Sequence, residues 1–119
     1  MITLKTKEVN IIGAGLAGCE SALYLANNGI KVNLFEMKKI KKNPAQKNNY
    51  FAELVCSNSL KSTDVLSASG LLKLEIEKLG SFLIPIAKDC SVPSGGALSV
   101  NRDNFGNKVT ELIYNNKNI

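Results

Sequence analysis

Three glycines spaced as Gly13-x-Gly15-x-x-Gly18 and one acid, Glu36, carry the most legible chemistry in this chain. Each has a mechanical part. Gly13 permits a tight turn out of a strand. Gly15 leaves no side chain where a pyrophosphate must approach the backbone, and Gly18 lets a helix pack closely on the strand. The phosphates of such a ligand would rest on the free N–H groups at the helix start, whose dipole favours negative charge, with Gly13, Ala14, Gly15, Leu16, Ala17 and Gly18 as the cofactor-binding loop. Glu36 would accept a hydrogen bond from a ribose 2′-hydroxyl. A carboxylate there suits FAD or NAD and repels the 2′-phosphate of NADP; it does not separate FAD from NAD.

A glycine triplet alone is weak, because glycines also collect in plain turns. The elements around it supply the specificity. Residues 8–12, EVNII, read as a parallel strand covered on both faces. A helix follows from about Leu16 to Asn28, with Ala17, Ala22, Leu25 and Ala26 suited to close packing, and Gly29 is placed to end it in the left-handed conformation. Ile30 to Phe35 reads as a second strand, ending at Glu36. Strand, loop, helix, strand and acid form one right-handed βαβ unit over 8–36, the unit of open α/β sheets. The fold class is α/β, Rossmann-like, with a parallel sheet that one such unit leaves incomplete.

Beyond the acid the pattern changes. Residues 38–49 open on KKIKKNPAQK, a lysine-rich loop read as a solvated surface, with an RNA phosphate patch as the sharper alternative. Residues 50–60, YFAELVCSNSL, run from apolar Phe51, Leu54 and Val55 into Cys56 and then small hydrogen-bonding side chains. A polar cluster of that kind lines a site or caps a helix. From spacing alone the favoured reading of Cys56 is a buried, inert thiol. Ser67 to Gly70 reads as a lead into a helix from about Leu71 to Leu79, with Leu72, Ile76 and Leu79 on its inner face and Gly80 at its end. Phe82 to Ile86 looks extended, Ser91 to Gly96 a turn, and Ala97 to Val100 a strand. Asp103 is a candidate N-cap for a last helix carrying Phe105, Val109, Leu112 and Ile113 on one face, closed by Asn115 to Asn118. The pattern then stops where a following strand would begin, so residues 1–119 read as the N-terminal part of a larger nucleotide-binding domain, or as a truncated product.

Composition narrows the classes. A chain of 119 residues with 45% hydrophobic content is one small globular domain. No run approaches the ~20 apolar residues of a membrane span, and the polar N-terminus lacks the apolar core of an export signal. The cytoplasm is the expected location. The charge of +5 comes from fourteen lysines and the single arginine Arg102 against ten acids, a soft hint of an RNA partner. Cys19, Cys56 and Cys90 have no metal-ligand spacing, and the absence of histidine argues against a zinc site. An odd cysteine count in a cytoplasmic chain argues against a disulfide framework.

At YFAELVCSNSL the chain becomes recognisable. With NIIGAGLAG, GLLKLEIEKL and VPSGGALSVNRDNF, it resembles the flavin- and folate-dependent tRNA uracil-5-methyltransferases (TrmFO), relatives of the GidA-type tRNA wobble-uridine modifiers, from Val9 to the end. The resemblance implies FAD as cofactor, NAD(P)H as its reductant, 5,10-methylenetetrahydrofolate as one-carbon donor, and C5 of the tRNA T-loop uridine as acceptor. It implies that Gly13, Gly15, Gly18 and Glu36 hold the FAD adenosine and pyrophosphate, and that the family's motif cysteine, Cys56, works close to the flavin. Cys19 falls where relatives carry serine or alanine and is expected to be passive. Where the family tends to have Val-Asp-Arg this chain has Val100-Asn101-Arg102, which loses a carboxylate and keeps Arg102 as a cofactor or phosphate contact. The alternatives are another GidA-type tRNA modification protein, a different flavin oxidoreductase with the same opening unit, or an inactive truncated product.

Overall fold

The computed structural model describes residues 8–119. Residues 1–7, most of the stretch read as too polar for an export signal, lie outside the described residues. The opening unit forms as the hydrophobic pattern dictates: β1 (Glu8–Ile12), α1 (Leu16–Asn27) and β2 (Lys31–Phe35). The two strands pair in parallel, with Glu8 opposite Lys31 and Ile12 opposite Phe35. Gly29 adopts φ 77° just past α1. The buried face of α1 is Cys19, Ala22, Leu23 and Ala26, so Cys19 is core, whereas Ala17 stays exposed at the helix start.

β1 departs from expectation. Its residues alternate between exposed and half-buried, and Ile12 is 82% exposed, so this strand is covered on one face. Ile11 faces α1, while the opposite face carries a polar ladder in which Asn33 donates to Glu8 (2.6 Å) and Asn10 (2.9 Å).

The second half builds a different sheet. Among the described residues, β3 (Ser59–Ser62), β4 (Ser91–Val92) and β5 (Ala97–Val100) form an antiparallel sheet in the order β3-β5-β4. β3 and β4 lie in stretches read as cluster, loop and turn. Their ladder partners sit on β5, Ser59 opposite Ser99 and Ser91 opposite Val100, so the pairing is long-range for β3.

Three helices complete the chain: α2 (Ala68–Lys78), α3 (Leu83–Asp89) and α4 (Arg102–Tyr114). α2 begins earlier than expected, because Ser67 is its N-cap and accepts a hydrogen bond from the Gly70 N–H at 3.1 Å. Its supposed inner face is largely open: Leu72 is 57% and Leu79 74% exposed. α3 replaces the extended segment read over Phe82 to Ile86. The cause is Glu20 on α1, whose carboxylate accepts from the Phe82 N–H (2.6 Å), the Leu83 N–H (3.2 Å) and the Ser81 hydroxyl (2.6 Å). A carboxylate at a helix start satisfies orphan donors and suits the dipole. Pro85 falls in the first turn, where its missing N–H does no harm. We expect Glu20→Ala to destabilise the chain by about 2 kcal/mol, read as a lower urea midpoint with an unchanged denaturant slope; an unaltered midpoint would show that α3 forms without this cap.

α4 buries Phe105, Val109 and Ile113 as expected, but Leu112 stays exposed and the N-cap is Asn101, not Asp103. The Asn101 side-chain oxygen accepts from the Asn104 N–H at 3.0 Å. Asparagine and aspartate cap helices about equally well, so the capping part that an acid would play at this position is retained. One hydrophobic core runs through both halves, from Ala22, Leu23 and Val32 to Leu98, Phe105 and Val109.

Candidate dinucleotide site

The glycine loop lies between β1 and α1, stitched to β2 by a hydrogen bond from the Gly13 N–H to the Phe35 carbonyl at 2.7 Å. Gly13 turns at φ 96°, outside the range L side chains readily adopt. A Cβ built at Gly18 would lie 1.9 Å from the Gly13 carbonyl oxygen, so the close approach of α1 to β1 requires glycine there. At Gly15 a Cβ would meet nothing within 4 Å. That open space stands at the start of α1, whose N-cap makes no side-chain hydrogen bond and whose first turn holds no acid. The backbone N–H groups of Leu16 and Ala17 belong to this turn and lack intrahelical partners.

Glu36 sits directly behind the loop. One carboxylate oxygen accepts from the Ala14 N–H at 2.7 Å, the other from the Lys38 N–H at 2.8 Å. The Ala14 N–H therefore points to Glu36, leaving Gly15, Leu16 and Ala17 as the donors at the helix start. The Ala14 carbonyl is also held, accepting from the Ala52 N–H (2.8 Å) and the Cys19 thiol (3.4 Å). Burial pushes the Cys19 thiol up to about 12, so it stays protonated and unreactive.

The 50–60 stretch is tied to this loop. Ala52 is fully buried with φ 51°, a left-handed alanine held about 1–2 kcal/mol above its relaxed conformer. Its neighbour Phe51 donates its N–H to the Thr110 hydroxyl at 2.8 Å and stacks on Tyr114 with centroids 5.5 Å apart. Cys56 is exposed and free, contrary to the buried reading from spacing. The polar residues after it turn the chain away from the core, with the Asn58 carbonyl accepting from the Val100 N–H (2.9 Å) and its side chain donating to the Val100 carbonyl (3.2 Å). Arg102 donates to the Leu54 carbonyl at 3.2 Å, two residues before Cys56. Lys47, Ser57, Asn58 and Arg102 line a polar cavity of about 830 Å³ that none of Gly13 to Gly18 borders. The structure thus brings Arg102 to the cysteine block and Glu36 to the glycine loop.

The lysine-rich loop is not uniformly solvated. Lys38 is buried and paired with Glu53 at 2.7 Å. Lys39 donates to the Tyr114 hydroxyl at 2.8 Å and lies over its ring. Lys41, Lys42 and Lys47 stay exposed. The buried pair was missed from sequence, although a charged residue inside the apolar run FAELV was its signal. Burial alone would raise the Glu53 carboxyl; the Lys38 ammonium and the N–H groups of Lys47 and Asn48 outweigh it and hold the group below its usual value of 4.5. A carboxyl depressed by folding contributes stability above its unfolded value and loses it as pH falls through the folded one. We expect stability to fall below about pH 4.5 more steeply in the unmodified chain than in Glu53→Gln, a difference measured by thermal melts; parallel pH profiles would contradict it.

Among the described residues no group of acids and cysteines is arranged to hold a metal ion, and no helix is long and apolar enough to cross a membrane.

A glycine loop on a βαβ unit with an acid behind it, and a cysteine block docked on the loop, define a class that sequence comparison identifies. The family model for glucose inhibited division protein A matches residues 8–119, and the chain belongs to that family. Within it the chain is 52% identical over 113 residues to the methylenetetrahydrofolate–tRNA-(uracil-5-)-methyltransferase TrmFO 2 of Mycoplasma mycoides subsp. mycoides SC. It is 56% identical over 113 residues to the TrmFO of Fusobacterium nucleatum subsp. nucleatum, and 47% identical over 116 residues to that of Bacillus cytotoxicus. These alignments cover 95–98% of this chain and 26–27% of the relatives, in their N-terminal part. The chain spans about a quarter of the length of the curated relatives it matches.

Proposed function

We propose that residues 1–119 form the N-terminal part of an FAD-binding domain and hold the adenosine and pyrophosphate of FAD, within a folate-dependent tRNA uracil-5-methyltransferase. The observation that carries this is the open space at Gly15, on an uncapped helix start, with Glu36 fixed behind it. Gly15, Leu16 and Ala17 present N–H groups to the pyrophosphate. Glu36 keeps further lone pairs for a ribose hydroxyl, since among the described residues each of its oxygens accepts a single hydrogen bond. Bound there, the flavin supplies hydride and one-carbon chemistry, which the protein positions and tunes. NAD(P)H is the reductant, methylenetetrahydrofolate the carbon donor, and tRNA in the cytoplasm the substrate. Cys56, exposed and free, is the thiol available to this unit. Attack of its thiolate on C6 of a uracil makes C5 enolate-like and ready to accept carbon. Arg102, Lys41, Lys42 and Lys47 offer cations to phosphate groups. The names of the relatives, each a methylenetetrahydrofolate–tRNA methyltransferase, support this reading.

The test is a chimera in which residues 1–119 replace the matching quarter of the Mycoplasma relative, assayed for 5-methyluridine in unmethylated tRNA. Methylation by the chimera, lost in its Cys56→Ser variant, is the expected result. A folded, flavin-loaded chimera that leaves tRNA unmethylated would overturn the reading. The 119-residue chain by itself is expected to give no turnover.

A further inference from the structure

A buried ion pair is weak evidence for stability, since desolvation offsets much of its attraction. The Lys38–Glu53 pair, with side chains 4% and 7% exposed, therefore calls for another account. Its connections supply one. The Lys38 N–H donates to Glu36, the acid behind the glycine loop, at 2.8 Å. The Lys38 ammonium donates to the Tyr50 carbonyl (2.5 Å) and to Glu53 (2.7 Å). The second oxygen of Glu53 accepts from the N–H groups of Lys47 (2.7 Å) and Asn48 (3.3 Å). A continuous line of direct contacts thus runs from the carboxylate that faces the ligand to the segment leading into Cys56. A second link runs beside it, from the Ala52 N–H to the Ala14 carbonyl at 2.8 Å.

We propose that Lys38 and Glu53 are positioning residues that couple occupancy of the dinucleotide site to the order of the segment carrying Cys56, an inference that rests on the dinucleotide reading above. A ligand that engages Glu36 and the glycine loop favours the closed arrangement of both links, and so suppresses local opening of residues 47–53. The pair carries that effect because it is the side-chain bridge between the residue two places past Glu36 and the residue three places before Cys56.

The test is hydrogen exchange followed by mass spectrometry on the 119-residue chain, with and without saturating ADP. ADP carries the ribose and pyrophosphate that the loop would read, and no flavin ring that could shield Cys56 directly. The comparison is with the Lys38→Met/Glu53→Met double variant, in which apolar groups replace both charges and neither is left buried alone; Lys38→Arg, which keeps the charge, is the rescue control. In the unmodified chain ADP should slow exchange about fivefold or more both in residues 13–18 and in residues 47–53, the low end of ordinary coupling between sites. In the double variant the slowing should persist in 13–18 and fall in 47–53, where only the Ala52–Ala14 link remains, while the single Lys38→Arg variant, with Glu53 kept, should retain it. Equal slowing of 47–53 in the double variant would overturn the coupling, as would none in an unmodified chain whose glycine loop is protected. Failure of ADP to protect 13–18 in the unmodified chain would overturn the dinucleotide reading itself, and the coupling with it.

Discussion

Gly15→Val is expected to leave the chain folded and to weaken FAD binding by about a hundredfold or more. The side chain enters space in which a Cβ meets no atom of the described residues within 4 Å. Gly15 is an N-cap at φ −77° and ψ −168°, extended backbone that valine adopts without strain. The change costs less than about 1 kcal/mol of stability, the ordinary worth of an N-cap residue. The same space is where a pyrophosphate would meet the N–H groups of Leu16 and Ala17, and a branched side chain there holds the phosphates away. Flavin fluorescence titration should show saturable binding by the unmodified chain and a loss of about a hundredfold or more, ~2.7 kcal/mol, in the variant. Equal affinity in a folded variant would mean that the helix start is not the pyrophosphate seat.

Gly18→Ala, three residues along the same motif, should behave in the opposite way. Its Cβ would fall 1.9 Å from the Gly13 carbonyl oxygen and 3.0 Å from the Gly13 carbonyl carbon, both backbone. No rotamer relieves that contact, so α1 must move off β1. The expected loss is about 3 kcal/mol, the upper end of overpacking, out of the ~5–15 kcal/mol that hold a small domain. Circular dichroism melts would register it as a large fall in Tm without any ligand present. A Gly18→Ala chain as stable as the parent would show that the helix and strand are not in close register. Together the two variants separate the glycine that shapes the fold from the one that clears the site.

The contrast between these glycines was legible in the sequence because a βαβ unit is local. The apolar runs of its strands, the small residues of α1 and the turn at Gly29 all act within 8–36, and the element bounds follow them to within a residue or two, although β1 is covered on one face only. What the sequence concealed depends on distant partners. α3 exists where an extended segment was expected because Glu20, on another helix, caps it. β3 is a strand because β5 lies alongside. Lys38 looked like one more solvated lysine, and only its meeting with Glu53 takes it into the interior. Leu72 and Leu79 form the stripe expected of α2, yet remain exposed, since hydrophobic spacing states a demand for a partner without supplying one. At the candidate site, the spacing singled out Gly13, Gly15, Gly18 and Glu36, which the structure brings to one loop, while the exposure of Cys56 and the docking of its segment on Ala14 depend on distant partners.

Ala14 is gripped through both of its backbone groups, its N–H by Glu36 and its carbonyl by Ala52 and Cys19. This bears on how fast a ligand binds. A loop already fixed by three other segments has met its ordering entropy during folding, and little is left to lose at the encounter. Association should then be a single phase, first order in ligand with no slow isomerisation behind it. Affinity differences among adenine nucleotides would accordingly appear in how long each one stays.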